Sequence, residues 1–185
     1  MLILVEGISD KSFIEAYLES LYSCKTTENA IEIIATNGKD NLKSFKSKIN
    51  KNKTKIIFDA DADIKGSMSN IVKQLKDMDN NFSSNCEIFL MPNNKDSGNL
   101  ETLLENVARE KCILKCFDNY KECMQKLKDN NQNICLPAKK SKTYAYFHSF
   151  GFKNGIKDFK INGDMIDCES EYLQPLKNFL LDIKD

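Results

Sequence analysis

The chain has 185 residues, of which 41% are hydrophobic and 29% are charged, and its 27 basic and 27 acidic side chains cancel to a net charge of zero. This length and composition predict a single soluble globular domain, and they exclude a repeat protein and a low-complexity chain. The balanced charge gives no general attraction to a polyanion, and no apolar run approaches the roughly 20 residues that a membrane span requires.

Four short apolar runs in the first half of the chain predict buried β-strands. They are rich in Ile, Val, Leu and Phe, as strands covered on both faces tend to be, and they comprise Leu2 to Glu6, Ile31 to Thr36, Lys55 to Asp59 and Glu87 to Met91. Helical patterns separate these runs at residues 9–22, where Ser9 is the expected N-cap, and at 39–49 and 67–78. Strands alternating with helices predict an α/β fold with a mainly parallel four-stranded sheet.

After Met91 the alternation fades and helical patterns dominate, at residues 99–108, 118–130, 139–150 and 169–183. Pro175 falls inside the last of these, so this helix either begins there or is kinked there. Residues 153–167 contain two glycines and fit a loop or a short edge strand. We therefore expect an α/β core over residues 1–110 and a mostly helical C-terminal extension over 111–185, packed on the same core.

Seven cysteines are present, without a CxxC pair. Cys112, Cys116 and Cys123 share one helix face, and we expect buried, reduced thiols there; a zinc site with Cys135 is the alternative. The odd number of cysteines and the lack of a secretory leader in MLILVE predict a cytoplasmic protein.

Acidic residues follow two of the predicted strands. Glu6 ends the first strand, and the third strand ends in DADAD, which contains Asp59 and Asp61. Residues i and i+2 of an extended chain point to the same side, so these two aspartates are expected to converge. The carboxyl ends of parallel strands lie at one edge of the sheet, and carboxylates without His or Cys suit Mg²⁺. The alternative is a set of helix caps and loop acids, with Asp63 the best example.

The sequence VEGISD after the first strand and DADAD after the third resemble the Toprim domain, which is shared by topoisomerases, bacterial primases, recombination-repair proteins and OLD-family nucleases. The resemblance covers about the first 110 residues and is strongest to small stand-alone Toprim-like proteins and to the nuclease branch. It implies a Rossmann-like parallel sheet in which Glu6, Asp59 and Asp61 bind Mg²⁺ or Mn²⁺. It also matches Asp10 to a further acid of the nucleases, and Glu101 to an acid that would help hold a second metal. A helix cap preceding Glu101, from Ser97 or Asn99, is the alternative for that region.

Cationic side chains are the second component of the expected site. The resemblance implies a late lysine near the reacting phosphate, and Lys142 is preferred over Lys139 and Lys140. The stretch from Lys39 to Lys55 is strongly basic; Lys39, Lys43 and Lys46 are expected either to attract a phosphate backbone or to form a solvated helix face. His148, the one histidine, is expected to be a packed or surface residue.

We therefore expect a Mg²⁺-dependent nuclease that cleaves phosphodiester bonds of DNA or RNA, in phage defence, DNA repair or RNA processing. The chain has no GxxxxGK[ST] motif, so any ATPase partner is encoded separately. The first alternative is a non-catalytic module that binds nucleic acid or such an ATPase. The second is a structural protein whose acids are only caps. The oligomeric state stays open, a homodimer included.

Overall fold

A computed structural model describes residues 1–22, 31–79, 85–153, 160–161 and 163–181. The chain forms a four-stranded sheet in the order β2-β1-β3-β4, with every neighbouring pair parallel. The strands are β1 (Leu2–Val5), β2 (Glu32–Ala35), β3 (Thr54–Asp59) and β4 (Cys86–Met91). The predicted α/β class and the four predicted strands are confirmed, each within one or two residues.

Seven α-helices lie in the described part of the chain: α1 (Ile8–Tyr22), α2 (Lys46–Ile49), α3 (Ile64–Met78), α4 (Leu100–Val107), α5 (Lys111–Asn130), α6 (Ser141–Ser149) and α7 (Gln174–Leu181). A 3₁₀ turn, Leu42–Phe45, precedes α2, so the predicted second helix is split in two. The last helix begins next to Pro175, as the first of the two predicted alternatives required. None of these helices combines the length and apolar character needed to cross a bilayer.

The alternation of side chains along the strands builds a hydrophobic core on each face of the sheet. In β1, Leu2 and Leu4 pack on the face covered by α2 and α3, whereas Ile3 and Val5 pack on the face covered by α1, α4, α6 and α7. Leu173 and Leu180 of the C-terminal segment belong to this second core. Residues 154–159 of the expected loop or edge strand lie outside the described residues.

Helix α5 contacts the core near its start, through Ile113 and Leu114, and most of its other side chains are exposed. Leu114 is its one fully buried residue, and the predicted buried thiols are wrong: Cys112, Cys116, Cys123 and also Cys135 are exposed. The helical pattern identifies which residues share a face, but it does not identify whether another element covers that face. Within the described residues, no three His, Cys, Asp or Glu side chains are placed to hold a metal ion, so the zinc alternative has no support there.

Candidate metal centre at the carboxyl edge of the sheet

The turn between β1 and α1 places the first two carboxylates. Glu6 follows the last residue of β1, and the Gly7 amide donates a 2.8 Å hydrogen bond to Asp10 Oδ2. This bond is one half of a capping box and places Gly7 at the N-cap position, just before α1; the predicted N-cap, Ser9, lies inside the helix instead. A Cβ at Gly7 would lie 3.0 Å from Asp10 Oδ2, so glycine permits this close approach.

Asp59 is held between β1 and α4. It is the last residue of β3, and its own amide donates a 3.4 Å hydrogen bond to Glu6 Oε2. Its Oδ1 accepts a 3.2 Å hydrogen bond from the amide of Leu100, the first residue of α4. Asp59 therefore connects two distant segments, through its amide to Glu6 and through its carboxylate to Leu100.

Asp61 reaches the same edge by a route that the sequence did not predict. Its backbone has a φ of 52°, in the left-handed region, so Asp59 and Asp61 are not brought together by extended i, i+2 geometry. Two backbone hydrogen bonds with Gly98, of 2.8 and 2.7 Å, hold this conformation. Gly98 has a φ of 142° and an added Cβ would lie 2.7 Å from Thr102 Oγ1, so this position requires glycine.

Two polar residues near this edge of the sheet, Asp63 and Asn99, cap helices. Asp63 accepts a 3.0 Å hydrogen bond from the Gly66 amide and caps α3, as its alternative interpretation predicted. Asn99 forms a capping box with Thr102 at the start of α4. These caps set the orientation of α3 and α4 relative to the sheet edge.

Glu101, in the first turn of α4, is the most buried of the candidate acids. It is 7% exposed, and its buried Oε1 makes no hydrogen bond in the described structure. The Lys140 ammonium lies 3.3 Å from this oxygen, but the geometry is that of an ion pair only. A position in the first helical turn favours the negative charge, and the Asn99 cap of the alternative interpretation is present; the metal-binding role of Glu101 stays a prediction.

The five candidate carboxylates lie close enough to change one another's ionisation. Burial, followed by repulsion from the other four, raises the pKa of Asp59 to about 8. Burial and repulsion from Glu101 and Glu6 raise the pKa of Asp10 to about 6, against the hydrogen bond from Gly7. Burial also raises the pKa of Glu6, against the hydrogen bond from the Asp59 amide. Burial is the largest cause in each case, and repulsion between the carboxylates adds to it.

Two lysines provide the cations of this cluster. Lys39 lies in the loop after β2 and its Nζ is 2.9 Å from Asp61 Oδ2; this hydrogen bond raises the pKa of Lys39. Burial opposes the charge of Lys140, but the nearby Glu101, Asp10 and Asp59 carboxylates raise its pKa. Two ammonium groups face five carboxylates, so the cluster retains the capacity for additional positive charge.

The other predicted cations lie elsewhere. Lys142 pairs with Glu105 at 3.0 Å and Asp118 at 2.9 Å, so Lys140 and not Lys142 is the lysine that contacts the cluster; the preference for Lys142 stays an untested prediction. Lys43 pairs with Asp77, and Lys46 donates a 2.7 Å hydrogen bond to the Met78 carbonyl. Both contacts are near the C-terminal end of α3, about 20 Å along the helix from its start at the site. His148 is a surface residue, as expected.

The donor set fits a hard divalent cation, since it is made only of carboxylate oxygens. As the side chains are placed, no three of them surround a common point closely enough to hold an ion. Asp61 and Glu101 are instead turned toward Lys39 and Lys140. Binding of an ion would require these two carboxylates to exchange an ammonium partner for the metal.

A groove of about 640 Å³ begins at Asp61 and Glu101 and continues along α4 to α5; we call it the α5 groove. Its far wall is formed by Phe117 and Lys121 of α5 and by the 137–139 loop. The sequence contained no signal for this groove, because its walls come from segments whose relative placement depends on tertiary packing.

A family model described as "Protein of unknown function (DUF3226)" matches residues 1–185, so the chain belongs to that family. Searches of curated proteins and of solved structures gave no match.

Proposed function

We propose that this DUF3226 protein is a divalent-metal-dependent nuclease that cleaves phosphodiester bonds of DNA or RNA. The main support is the meeting of five carboxylates from three segments at one edge of the sheet, where burial and mutual repulsion raise the pKa of Asp59 to about 8. An ionised carboxylate in this position lowers the stability of the folded protein unless a cation offsets its charge. The resemblance of VEGISD and DADAD to the Toprim domain supports the same assignment.

Glu6, Asp59 and Asp61 would bind the first Mg²⁺ or Mn²⁺, and Asp10 and Glu101 would contribute to a second site. A bound divalent ion supplies activation of water and stabilisation of charge on the phosphate and the leaving oxygen. Lys39 and Lys140 would then be released from their carboxylates and become available to the phosphate oxygens. In this proposal the lysines replace the metal when it is absent and bind the substrate when it is present.

The proposal is tested by incubating the purified chain with single- and double-stranded DNA and RNA, in Mg²⁺, Mn²⁺ or EDTA. Wild type should cleave at least one substrate in a divalent ion and none in EDTA. Glu6→Gln and Asp59→Asn should each lose at least about 100-fold of that activity, because both remove a metal-binding charge. Asp77→Asn is the matched control, since Asp77 pairs with Lys43 on the exposed surface of α3.

Cleavage that both site substitutions leave unchanged would contradict this metal centre. A contaminating nuclease is recognised in the same experiment, because its activity would not follow the variants.

A non-catalytic role in binding nucleic acid or a separately encoded ATPase is the second candidate. The ion pairs of Asp61 with Lys39 and of Glu101 with Lys140 favour it, because they neutralise part of the cluster without a metal. Binding in EDTA together with no cleavage of any of the four substrates would support this role.

A further inference from the structure

The α5 groove combines a half-buried aromatic ring with two lysines that form no ion pair with any residue the structure describes. Phe117 lines the groove and is half-buried. Its ring contacts Tyr120 edge-on, with centroids 5.6 Å apart and an interplanar angle of 62°. The two rings are therefore not stacked face to face.

The charges of the groove divide into a fixed set and a free set. Lys142 is 19% exposed and is held by both Glu105 and Asp118, so this fixed set keeps a net charge of −1. Lys121 and Lys139 also line the groove, and neither forms an ion pair with another described residue. The outer part of the groove therefore presents two lysines to an anion.

We infer that the α5 groove binds single-stranded nucleic acid, with a base stacked on Phe117 and the backbone phosphates on Lys121 and Lys139. A base in a duplex has both faces covered by its neighbours, whereas an unpaired base can stack on a protein ring. The groove leads directly to Asp61 and Glu101, so a strand held in it would extend toward the carboxylates. The binding of a strand does not depend on the proposed function; only its cleavage at the carboxylate end of the groove does.

The test measures binding without cleavage. Fluorescence anisotropy in EDTA compares a labelled single strand of DNA, the same sequence as RNA, and a blunt duplex, each with the full chain. Wild type should bind at least one single strand about tenfold or more tightly than the duplex. Phe117→Leu should weaken that binding about tenfold, because it keeps an apolar side chain and removes the stacking surface.

Lys121→Gln with Lys139→Gln provides a second variant, at two exposed positions, that leaves Phe117 itself unchanged. It should weaken single-strand binding and reduce the slope of log affinity against log salt by about 1.4, the value for two phosphate contacts on a single strand. Lys115→Gln is the control, since Lys115 is exposed on α5 and does not line the groove. A thermal melt shows that each variant is folded.

Equal or tighter binding of the duplex, or single-strand binding that neither variant weakens, would overturn the inference. Its failure can be distinguished from that of the proposed function. Phe117-dependent binding with no cleavage in Mg²⁺ or Mn²⁺ would support the groove and contradict the nuclease. Cleavage that depends on Asp59 but not on Phe117, Lys121 or Lys139 would support the nuclease and contradict the groove.

Discussion

The backbone amide of Asp59 donates a hydrogen bond to the Glu6 carboxylate, joining residues 53 positions apart in the chain. The parallel pairing of β1 with β3 brings the two residues together, because Val5, the last residue of β1, is in register with Ile57, two residues before the end of β3. Burial, followed by repulsion from Asp10 and then from Glu6, raises the pKa of Asp59. The central strands therefore determine both the geometry and the electrostatics of the candidate centre.

The first prediction concerns stability in the absence of divalent ions. The pKa of Asp59 is about 8 in the folded protein, against an ordinary value of 3.8. Between these two values the folded state holds the proton more tightly than the unfolded state, so the free energy of unfolding should fall as the pH rises from 5 to 8. Urea titrations in EDTA across this range measure the slope.

Asp59→Asn should remove much of this dependence, because the amide cannot ionise and still offers an oxygen to the Leu100 amide. In EDTA we expect this variant to gain stability relative to wild type as the pH rises, by up to about 4 kcal/mol between pH 5 and pH 8. Asp77→Asn should keep the wild-type slope. A wild-type stability that is flat or rises between pH 5 and 8 would contradict the assigned cause.

The second prediction separates two lysines that are two residues apart. Lys140→Met should reduce cleavage at least about tenfold, because it removes the cation nearest Glu101. Lys142→Met should instead lower the free energy of unfolding by about 1 kcal/mol, since it leaves Glu105 and Asp118 unpaired, and activity per folded molecule should change little. The reverse pattern in parallel activity assays and urea titrations would show that Lys142 is the functional cation.

The third prediction concerns the Gly98 bridge to Asp61. Gly98→Ala places a methyl group against Thr102 at a φ that favours glycine, so it should lower the free energy of unfolding by about 1–3 kcal/mol. Because the bridge positions Asp61, metal affinity should fall as well. Gly163→Ala is the control, since no atom lies within 4 Å of its added Cβ. Unchanged metal affinity in folded Gly98→Ala would show that the bridge does not position a ligand.

The fourth prediction concerns Lys55, which is fully buried on β3. Its ammonium hydrogen-bonds the Phe179 carbonyl, lies 4.5 Å from the centre of that ring and is 3.1 Å from Glu87 Oε2. These contacts tie α7 to the sheet. Lys55→Met should therefore lower the free energy of unfolding by about 2 kcal/mol without changing activity per folded molecule. Urea denaturation measures the free energy of unfolding, and Lys53→Met, at an exposed position, is the control. Equal stability of the two variants would contradict this role of Lys55.

The sheet could be predicted from the sequence because each strand is a short apolar run ending in polar residues, and parallel strands place those ends at one edge. That reasoning predicted that Glu6, Asp59 and Asp61 lie together, and the resemblance to the Toprim domain added Asp10 and Glu101. It did not predict how Asp61 arrives there, because the left-handed backbone depends on Gly98, which is 37 residues away. The residues next to Asp61 in the sequence contain no information about a partner as distant as Gly98.

The same limit explains the errors in the helical region. The cysteines of α5 share a face, but coverage of that face depends on where α6 and the core lie. Lys140 immediately precedes α6 and Lys142 lies in its first turn, so a difference of two positions directs one ammonium to Glu101 and the other to Asp118. Near a helix start, the spacing of side chains in sequence does not determine which neighbour each one meets.

The most direct test of the central claim is calorimetric titration of Mn²⁺ into the wild-type chain and Asp59→Asn at pH 8, with Asp77→Asn as the control. If the carboxylates share a divalent ion, wild type and Asp77→Asn should bind Mn²⁺ with release of protons, and Asp59→Asn should bind at least tenfold more weakly. Equal affinity in wild type and Asp59→Asn, or no binding by wild type at millimolar Mn²⁺, would contradict it.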